Sequence, residues 1–60
     1  MSALLSVADA AAYLGVKPRT IYDWRRQRKG PAAVRIGRLV KFRVDDLDSY
    51  ITENVERSAS

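Results

Sequence analysis

The sequence predicts a mainly α-helical domain that carries one small β-hairpin. Three observations support this fold class: helical spacing of apolar residues in three segments, a three-residue connection containing Gly between the first two, and one alternating stretch with a central Gly. The chain has 60 residues, which is near the lower limit for a domain that folds alone. We expect one domain over residues 1–57 and a disordered tail over residues 58–60.

The first helix is predicted over residues 7–14. Ser6 is a suitable N-cap, and Asp9 follows three residues later, which is close to a capping box. The alanines at positions 10–12 favour helix, and Gly15 supplies the end.

The second helix is predicted to begin at about Pro18, because Pro is favoured in a first turn and keeps the preceding residue out of helical conformation. Gly30 and Pro31 are expected to end it. Only residues 15–17 separate the two helices, and two helices joined by so short a turn make a helix-turn-helix.

Ile21 and Trp24 share one face of the second helix, and we assign both to the core. Stacking of Trp24 on a base is the alternative. The opposite face carries cations and a Tyr hydroxyl, groups that suit phosphates and guanine edges; its members are Arg19, Tyr22, Asp23 and Arg26.

Asp23 has two candidate roles. It lies four residues from both Arg19 and Gln27, so it can form an ordinary helical side-chain pair. It can also accept a hydrogen bond from a cytosine amino group or repel wrong sites. We favour the local pair.

The alternating segment of residues 32–44 predicts the hairpin. A two-residue loop at residues 37–38 would mix apolar and charged side chains on each face. A three-residue loop at residues 37–39 separates them, with Arg35 and Lys41 together on the outer face, and we therefore predict it. The expected pairs are Ile36 with Val40 and Val34 with Phe42.

Arg38 is expected at the tip of this loop. A tip Arg can enter a minor groove, where narrow A·T tracts concentrate negative potential. A solubilising surface charge is the alternative.

The third helix is predicted over residues 44–56. Its apolar face carries Leu47, Ile51 and Val55 at spacings of four. Its first turns are acidic, and the helix dipole favours acids there; they are Asp45, Asp46 and Asp48.

The charges are segregated along the chain. Residues 17–43 hold ten cations and one acid, a net charge of +9, whereas residues 44–60 hold five acids and one Arg. A basic block of this size within a foldable segment indicates a polyanion site. A solvated basic face is the alternative interpretation.

Composition argues against several function classes. The chain has no Cys and no His, so it lacks thiolate and imidazole ligands, and we expect no metal and no cofactor. With neither a signal-peptide pattern nor 18 consecutive apolar residues, we expect a cytoplasmic protein without membrane contact. An enzyme is disfavoured because the carboxylates are scattered over helix starts. An RNA-binding or protein-binding adaptor stays open.

Four segments carry a family resemblance. "AAAYLGV", "TIYDW", "AVRIGR" and "DLDSY" occur in the order and spacing of the excisionase-type, MerR-like winged helix-turn-helix family, and the similarity covers residues 4–51. The resemblance implies a winged helix-turn-helix that binds double-stranded DNA without enzymatic activity. In that family the second helix enters the major groove, and the wing touches the adjacent minor groove or backbone.

The resemblance also implies a function. Small members are often phage excisionases, which bind repeated sites cooperatively, bend DNA and direct a site-specific integrase toward prophage excision. We therefore expect an excisionase acting beside an integrase on the bacterial host nucleoid. A short AlpA/MerR-like transcriptional regulator is the alternative.

The predicted DNA-binding residues combine the basic block with the resemblance. Arg19, Thr20, Tyr22 and Arg26 match groove-facing positions of the family, and Arg38 matches the wing tip. The complete predicted set is Lys17, Arg19, Thr20, Tyr22, Arg25, Arg26, Arg35, Arg38 and Lys41.

Two positions depart from the family pattern. Lys17 replaces the usual Ser or Thr cap, with the loss of an interaction worth about 1 kcal/mol. Leu39 replaces a common second wing cation, and as an apolar tip residue it is expected to contact deoxyribose or a neighbouring protomer.

The charge segregation suggests head-to-tail self-association on DNA. The acidic third helix of one copy would contact the basic wing of the next, a contact that does not close. Charge reversal at Asp45 and Asp48 would then lower cooperativity. A purely local role for these acids at the helix dipole is the alternative.

Overall fold

Three helices and a three-stranded antiparallel sheet build the domain, as the fold class predicted. A computed structural model describes residues 3–56, so the predicted tail at 58–60 lies outside the described residues. The helices are α1 (Val7–Leu14), α2 (Pro18–Arg26) and α3 (Val44–Glu53). The strands are β1 (Leu4–Leu5), β2 (Val34–Ile36) and β3 (Leu39–Arg43).

The sheet has the strand order β1-β3-β2, so β3 is its central strand. The two-residue strand β1 pairs antiparallel with the end of β3, Leu4 opposite Arg43 and Leu5 opposite Phe42. We did not predict β1, because two residues are too few to show an alternating pattern and the partner strand lies more than 30 residues away.

The wing, formed by β2 and β3, has a different register from the one predicted. Ile36 pairs with Leu39, Arg35 with Val40 and Val34 with Lys41, so the loop consists of Gly37 and Arg38 alone. The predicted three-residue loop is therefore wrong, and so is the prediction that Arg35 and Lys41 share a face.

Turn chemistry explains this register. Gly37 has a φ of 59° at the first loop position, where two-residue hairpin loops of type II′ place Gly. The prediction assumed that burial decides the register along the whole ribbon. Ile36 and Leu39, however, are 46% and 57% exposed, so burial does not constrain the distal end.

The predicted bounds of α1 and the predicted start of α2 are confirmed. The Ser6 side chain accepts a hydrogen bond from the Asp9 backbone N–H at 3.1 Å. Gly15, with a φ of 76°, ends α1 in the left-handed conformation that this residue adopts without steric cost.

α2 ends at Arg26, before the predicted stop at Gly30 and Pro31. Arg28 adopts a φ of 57°, and its N–H bonds to the Arg25 carbonyl at 3.1 Å. The Lys29 N–H bonds to the Trp24 carbonyl at 2.9 Å, which completes a Schellman motif. Gly usually occupies the left-handed position of that motif. Because Arg28 occupies it here, the helix end could not be recognised from the sequence.

α3 begins at Val44 as predicted and ends at Glu53, three residues before the predicted position. The Asn54 side-chain amide donates a hydrogen bond to the Tyr50 carbonyl at 2.8 Å. The Tyr50 carbonyl also accepts the Asn54 backbone N–H at 3.1 Å, so Asn54 bonds the last turn through both groups, and the helix ends there. Val55 consequently lies outside α3 and is 54% exposed.

The core brings together all three helices and β3. Ile21, Phe42 and Leu47 are its largest fully buried side chains. Small residues of α1 complete it, and Trp24 packs against it while half-buried, so the core assignment of Trp24 is confirmed.

Side-chain contacts connect α3 to both other helices. The Tyr13 hydroxyl donates to Asp48 Oδ1 at 2.5 Å, and this hydrogen bond is the main cause of the raised pKa of Tyr13. The Trp24 and Tyr50 rings are 5.5 Å apart at a tilt of 52°. At the start of α3, Arg43 donates to both carboxylate oxygens of Asp46 at 2.6 and 3.0 Å, which raises the pKa of Arg43.

Gly30→Ala is expected to destabilise the domain by about 1–3 kcal/mol. Gly30 has a φ of 94°, and an added Cβ would meet Trp24 Cε3 at 3.0 Å and Trp24 Cβ at 3.1 Å. Urea denaturation measures the loss. Gly37→Ala is the control, because it adopts a positive φ with no atom within 4 Å of the added Cβ. Equal losses for both variants would show that the Trp24 contact adds nothing.

Candidate nucleic-acid interface

One face of α2 is exposed and basic. Arg19, Tyr22 and Arg26 follow each other at spacings of three and four, which places them in one stripe along the helix. Tyr22 is 54% exposed, whereas Ile21 is 1% exposed and lies in the core. The helix therefore packs through one side and presents this stripe to solvent.

The start of α2 holds two further predicted residues, Lys17, which is exposed, and Thr20. Lys17 occupies the N-cap position, and its side chain makes no cap hydrogen bond, as expected for a residue without a side-chain acceptor. The Lys17 carbonyl accepts the Thr20 N–H at 2.9 Å. Thr20 is half-buried, so it presents less surface to a ligand than Arg19.

Two of the predicted cations lie outside the stripe. Arg25 is exposed and lies about 100° around the helix from Arg26, at the edge of the stripe beside Tyr22, which is three residues away. Arg35 is exposed on the face of the wing opposite to Lys41. The structure thus does not gather the full predicted set on one surface.

A groove separates α2 from the wing and measures about 430 Å³. One wall is the N-terminal turn of α1, a second is Tyr22 of the α2 stripe, and the third is the distal part of β3 with its loop. The lining residues are Ser6, Val7, Ala8, Tyr22, Arg38, Leu39, Val40 and Lys41.

The chemistry of this groove suits a phosphate strand. Two cations and a Tyr hydroxyl line it, and none of its eight lining residues is acidic. The N-terminus of α1 adds the positive end of a helix dipole. Sequence reasoning found Tyr22, Arg38 and Lys41 but missed the α1 wall, although the Ser6 cap marks a helix start there.

Residues 4–55 match the helix-turn-helix domain family. The chain belongs to this family. Because helix-turn-helix domains bind DNA, membership implies DNA binding for the chain. No curated protein sequence matches it.

Across residues 3–56, no three acidic side chains lie close enough together to hold a metal ion. No helix of the same residues has the length and apolar content that a bilayer crossing requires.

Asp23 forms an ion pair with Arg26 on the exposed stripe. The predicted local role is thus correct in kind, but the partner is three residues away and is neither Arg19 nor Gln27. Both side chains are accessible, at 77% for Arg26 and 39% for Asp23, so the pair is solvent-screened. The pair withholds part of the Arg26 charge from a ligand.

Asp23→Ala is expected to raise affinity for unrelated duplex DNA by up to about fivefold, because it frees Arg26 to contact phosphate. The salt dependence should steepen by about one unit of log–log slope. Fluorescence anisotropy at several salt concentrations measures both effects. Glu56→Ala removes the same charge from an exposed position beyond the end of α3, outside the groove lining, and is the control. An unchanged slope for Asp23→Ala would show that Arg26 does not contact phosphate.

Proposed function

We propose that this helix-turn-helix domain places α2 in the major groove of duplex DNA and the wing at the adjacent minor groove. The groove between them carries the proposal, because its Tyr22 hydroxyl and two wing cations would hold the phosphate strand that separates the two DNA grooves. Within this arrangement we propose the nine residues predicted from the sequence as the DNA contacts. Arg19 faces bases, while Tyr22, Arg38 and Lys41 contact phosphates and sugar edges.

We further propose that the domain acts as an excisionase. The support is the resemblance of four ordered segments and a wing that projects Arg38 at its tip. In this role the domain binds repeated sites, bends them and directs a site-specific integrase toward prophage excision on the nucleoid of a bacterial cytoplasm. It acts by binding and not by catalysis. A short transcriptional regulator of the same family is the second candidate, and the same α2 stripe supports it.

Circularly permuted gel-shift probes test this function. The probes contain the DNA that flanks the coding region of the protein, and RNA duplexes of the same sequence serve as controls. Stepwise cooperative shifts with position-dependent mobility are expected of an excisionase. One unbent complex at a promoter would instead indicate a regulator, and equal binding to RNA would contradict the α2 placement, since A-form RNA hides its major groove.

Salt dependence tests the phosphate contacts. With about five contacts, the slope of log affinity against log salt is expected to be about −4 to −5. A slope near zero would contradict the electrostatic interface.

Copies bound side by side are proposed to contact head to tail, α3 of one against the wing of the next. Asp46 is bound by Arg43 and Asp48 by Tyr13, so a substitution of either acid would also break a contact within the domain. The exposed Glu53 is therefore the position for a test. Glu53→Lys should lower cooperativity on a two-site probe and leave single-site affinity unchanged. Unchanged cooperativity would leave the α3 acids with a local role only.

A further inference from the structure

The observed register of the wing creates an exposed apolar pair near its tip. Ile36 of β2 lies directly opposite Leu39 of β3 on one face of the ribbon, and the two side chains are 46% and 57% exposed. Directly opposite residues of an antiparallel pair have adjacent side chains. The tip pair, Ile36 and Leu39, is therefore one continuous aliphatic surface next to the Gly37–Arg38 loop.

The surroundings of the tip pair are entirely basic. Residues 34–43 contain four cations and no acid; the cations are Arg35, Arg38, Lys41 and Arg43. Arg35 and Arg38 are exposed and flank the tip pair in sequence. An occupant of this surface must therefore be apolar where it meets the aliphatic carbons and strongly anionic immediately around them.

We propose that the tip pair is a wedge that enters the minor groove beside Arg38 and partly unstacks one base step. A DNA base step combines an apolar stacking interface with phosphates on both sides. Apolar wedges of Leu or Ile between base steps kink duplexes by roughly 20–90°. The proposal rests on the proposed DNA binding and assigns the bending to two named residues.

A protein partner fits the tip pair less well. A stable protein interface buries about 800 Å² on each partner, and two partly exposed aliphatic side chains at the end of a ribbon supply a small part of that. A second copy in the proposed head-to-tail contact would bring the acids of its α3 to the cations of the wing, and carboxylates do not stabilise exposed aliphatic carbons.

Duplexes with 2-aminopurine at successive positions test the wedge, because the fluorescence of this base rises when it is unstacked. The DNA is a site selected from a random pool by the wild-type protein. Wild-type protein is expected to raise the fluorescence at one or two adjacent positions under the wing by at least twofold. The variant Ile36→Thr/Leu39→Thr places a β-branched residue, which favours strands, at both positions. It should abolish the rise when anisotropy shows the probe saturated.

A bending assay and two comparison variants complete the experiment. On permuted probes the double variant should lose most of the position-dependent mobility difference, with a fall in affinity of about tenfold or less. Arg38→Ala should weaken binding and keep the fluorescence rise at saturation. Val55→Thr changes a side chain of similar exposure, 54%, beyond the end of α3, and should alter nothing.

The outcomes separate this proposal from the proposed function. If the wild-type protein does not bind duplex DNA, the DNA interface itself fails. If it binds without unstacking any position, or if the double variant bends DNA as before, the wedge alone is refuted. A double variant that loses only cooperativity on two sites would identify the tip pair as a contact between copies, and the wedge would again be wrong.

Discussion

Phe42→Ala is expected to unfold the domain at room temperature. Phe42 is fully buried, and it lies on β3, which contacts both neighbouring strands and the helices α1 and α3. Truncation of a buried Phe costs about 3–5 kcal/mol. A core of this size supplies rarely more than about 3–5 kcal/mol of stability, so the loss removes nearly all of it.

Circular dichroism during heating measures this effect. The variant should show no cooperative transition, whereas Ile51→Ala, which truncates a side chain that is 43% exposed on α3, should melt near the wild-type temperature. Phe42→Leu keeps most of the volume and should retain a transition at a lower temperature. A cooperative Phe42→Ala transition close to that of Ile51→Ala would show that the core is not organised around Phe42.

Arg19→Ala is expected to produce the largest change in sequence preference. Arg19 lies on the exposed stripe of α2, where a guanidinium fork can bond both acceptors on a guanine edge. Loss of such a contact costs about 1–3 kcal/mol of discrimination against the wrong base. The ratio of affinities for the selected site and for single-base variants should fall at one position by about 5- to 150-fold.

Lys41→Ala is the matched comparison for Arg19→Ala, because it removes one cation from the wing side of the groove. It should weaken binding similarly on all sequences and reduce the salt slope by about one. Competition titrations against a panel of single-base variants of the DNA site measure the affinities of both variant proteins. Uniform losses for both substitutions would contradict the division into base-reading and phosphate-binding residues.

The helices were largely predictable because their signals are local. Ser6, Gly15 and Pro18 each act within one turn of their own position, and the bounds of α1 and the start of α2 follow. The start of α3 follows from the acids of its first turn, Asp45 and Asp46. The ends of α2 and α3 were predicted wrongly for the same reason. Arg28 fills a left-handed position that usually holds Gly, and Asn54 caps through its side chain, so neither residue gives a clear stop signal in sequence.

The sheet was less predictable because its pairing depends on distant residues and on exposure. The two residues of β1 can be recognised as a strand only from their pairing with β3. The predicted hairpin register depended on whether Ile36 and Leu39 are buried. The wing projects beyond the core, so Gly37 decided the turn instead. The same holds for the groove: Tyr22, Arg38 and Lys41 on its α2 and wing sides were predicted as DNA-binding residues from the sequence, while its α1 side emerged only from packing.

Residues of the recognised segments serve the scaffold as well as the surface. Tyr13 of "AAAYLGV" bonds Asp48 of "DLDSY", and Trp24 of "TIYDW" packs on Tyr50 of "DLDSY". Those four side chains join the helices to each other. The positions that distinguish one DNA site from another are therefore to be sought on the exposed stripe and wing.

The direct junction of β3 with α3 restricts movement of the wing relative to the core. Arg43 ends the strand and Val44 begins the helix, with no residue between them to act as a hinge. Phe42 anchors that junction in the core, so the distance from the wing tip to α2 is set by the packed interior. In the proposed DNA complex the spacing between α2 and the wing tip is therefore fixed by the core, and a duplex whose groove spacing differs must deform to contact both.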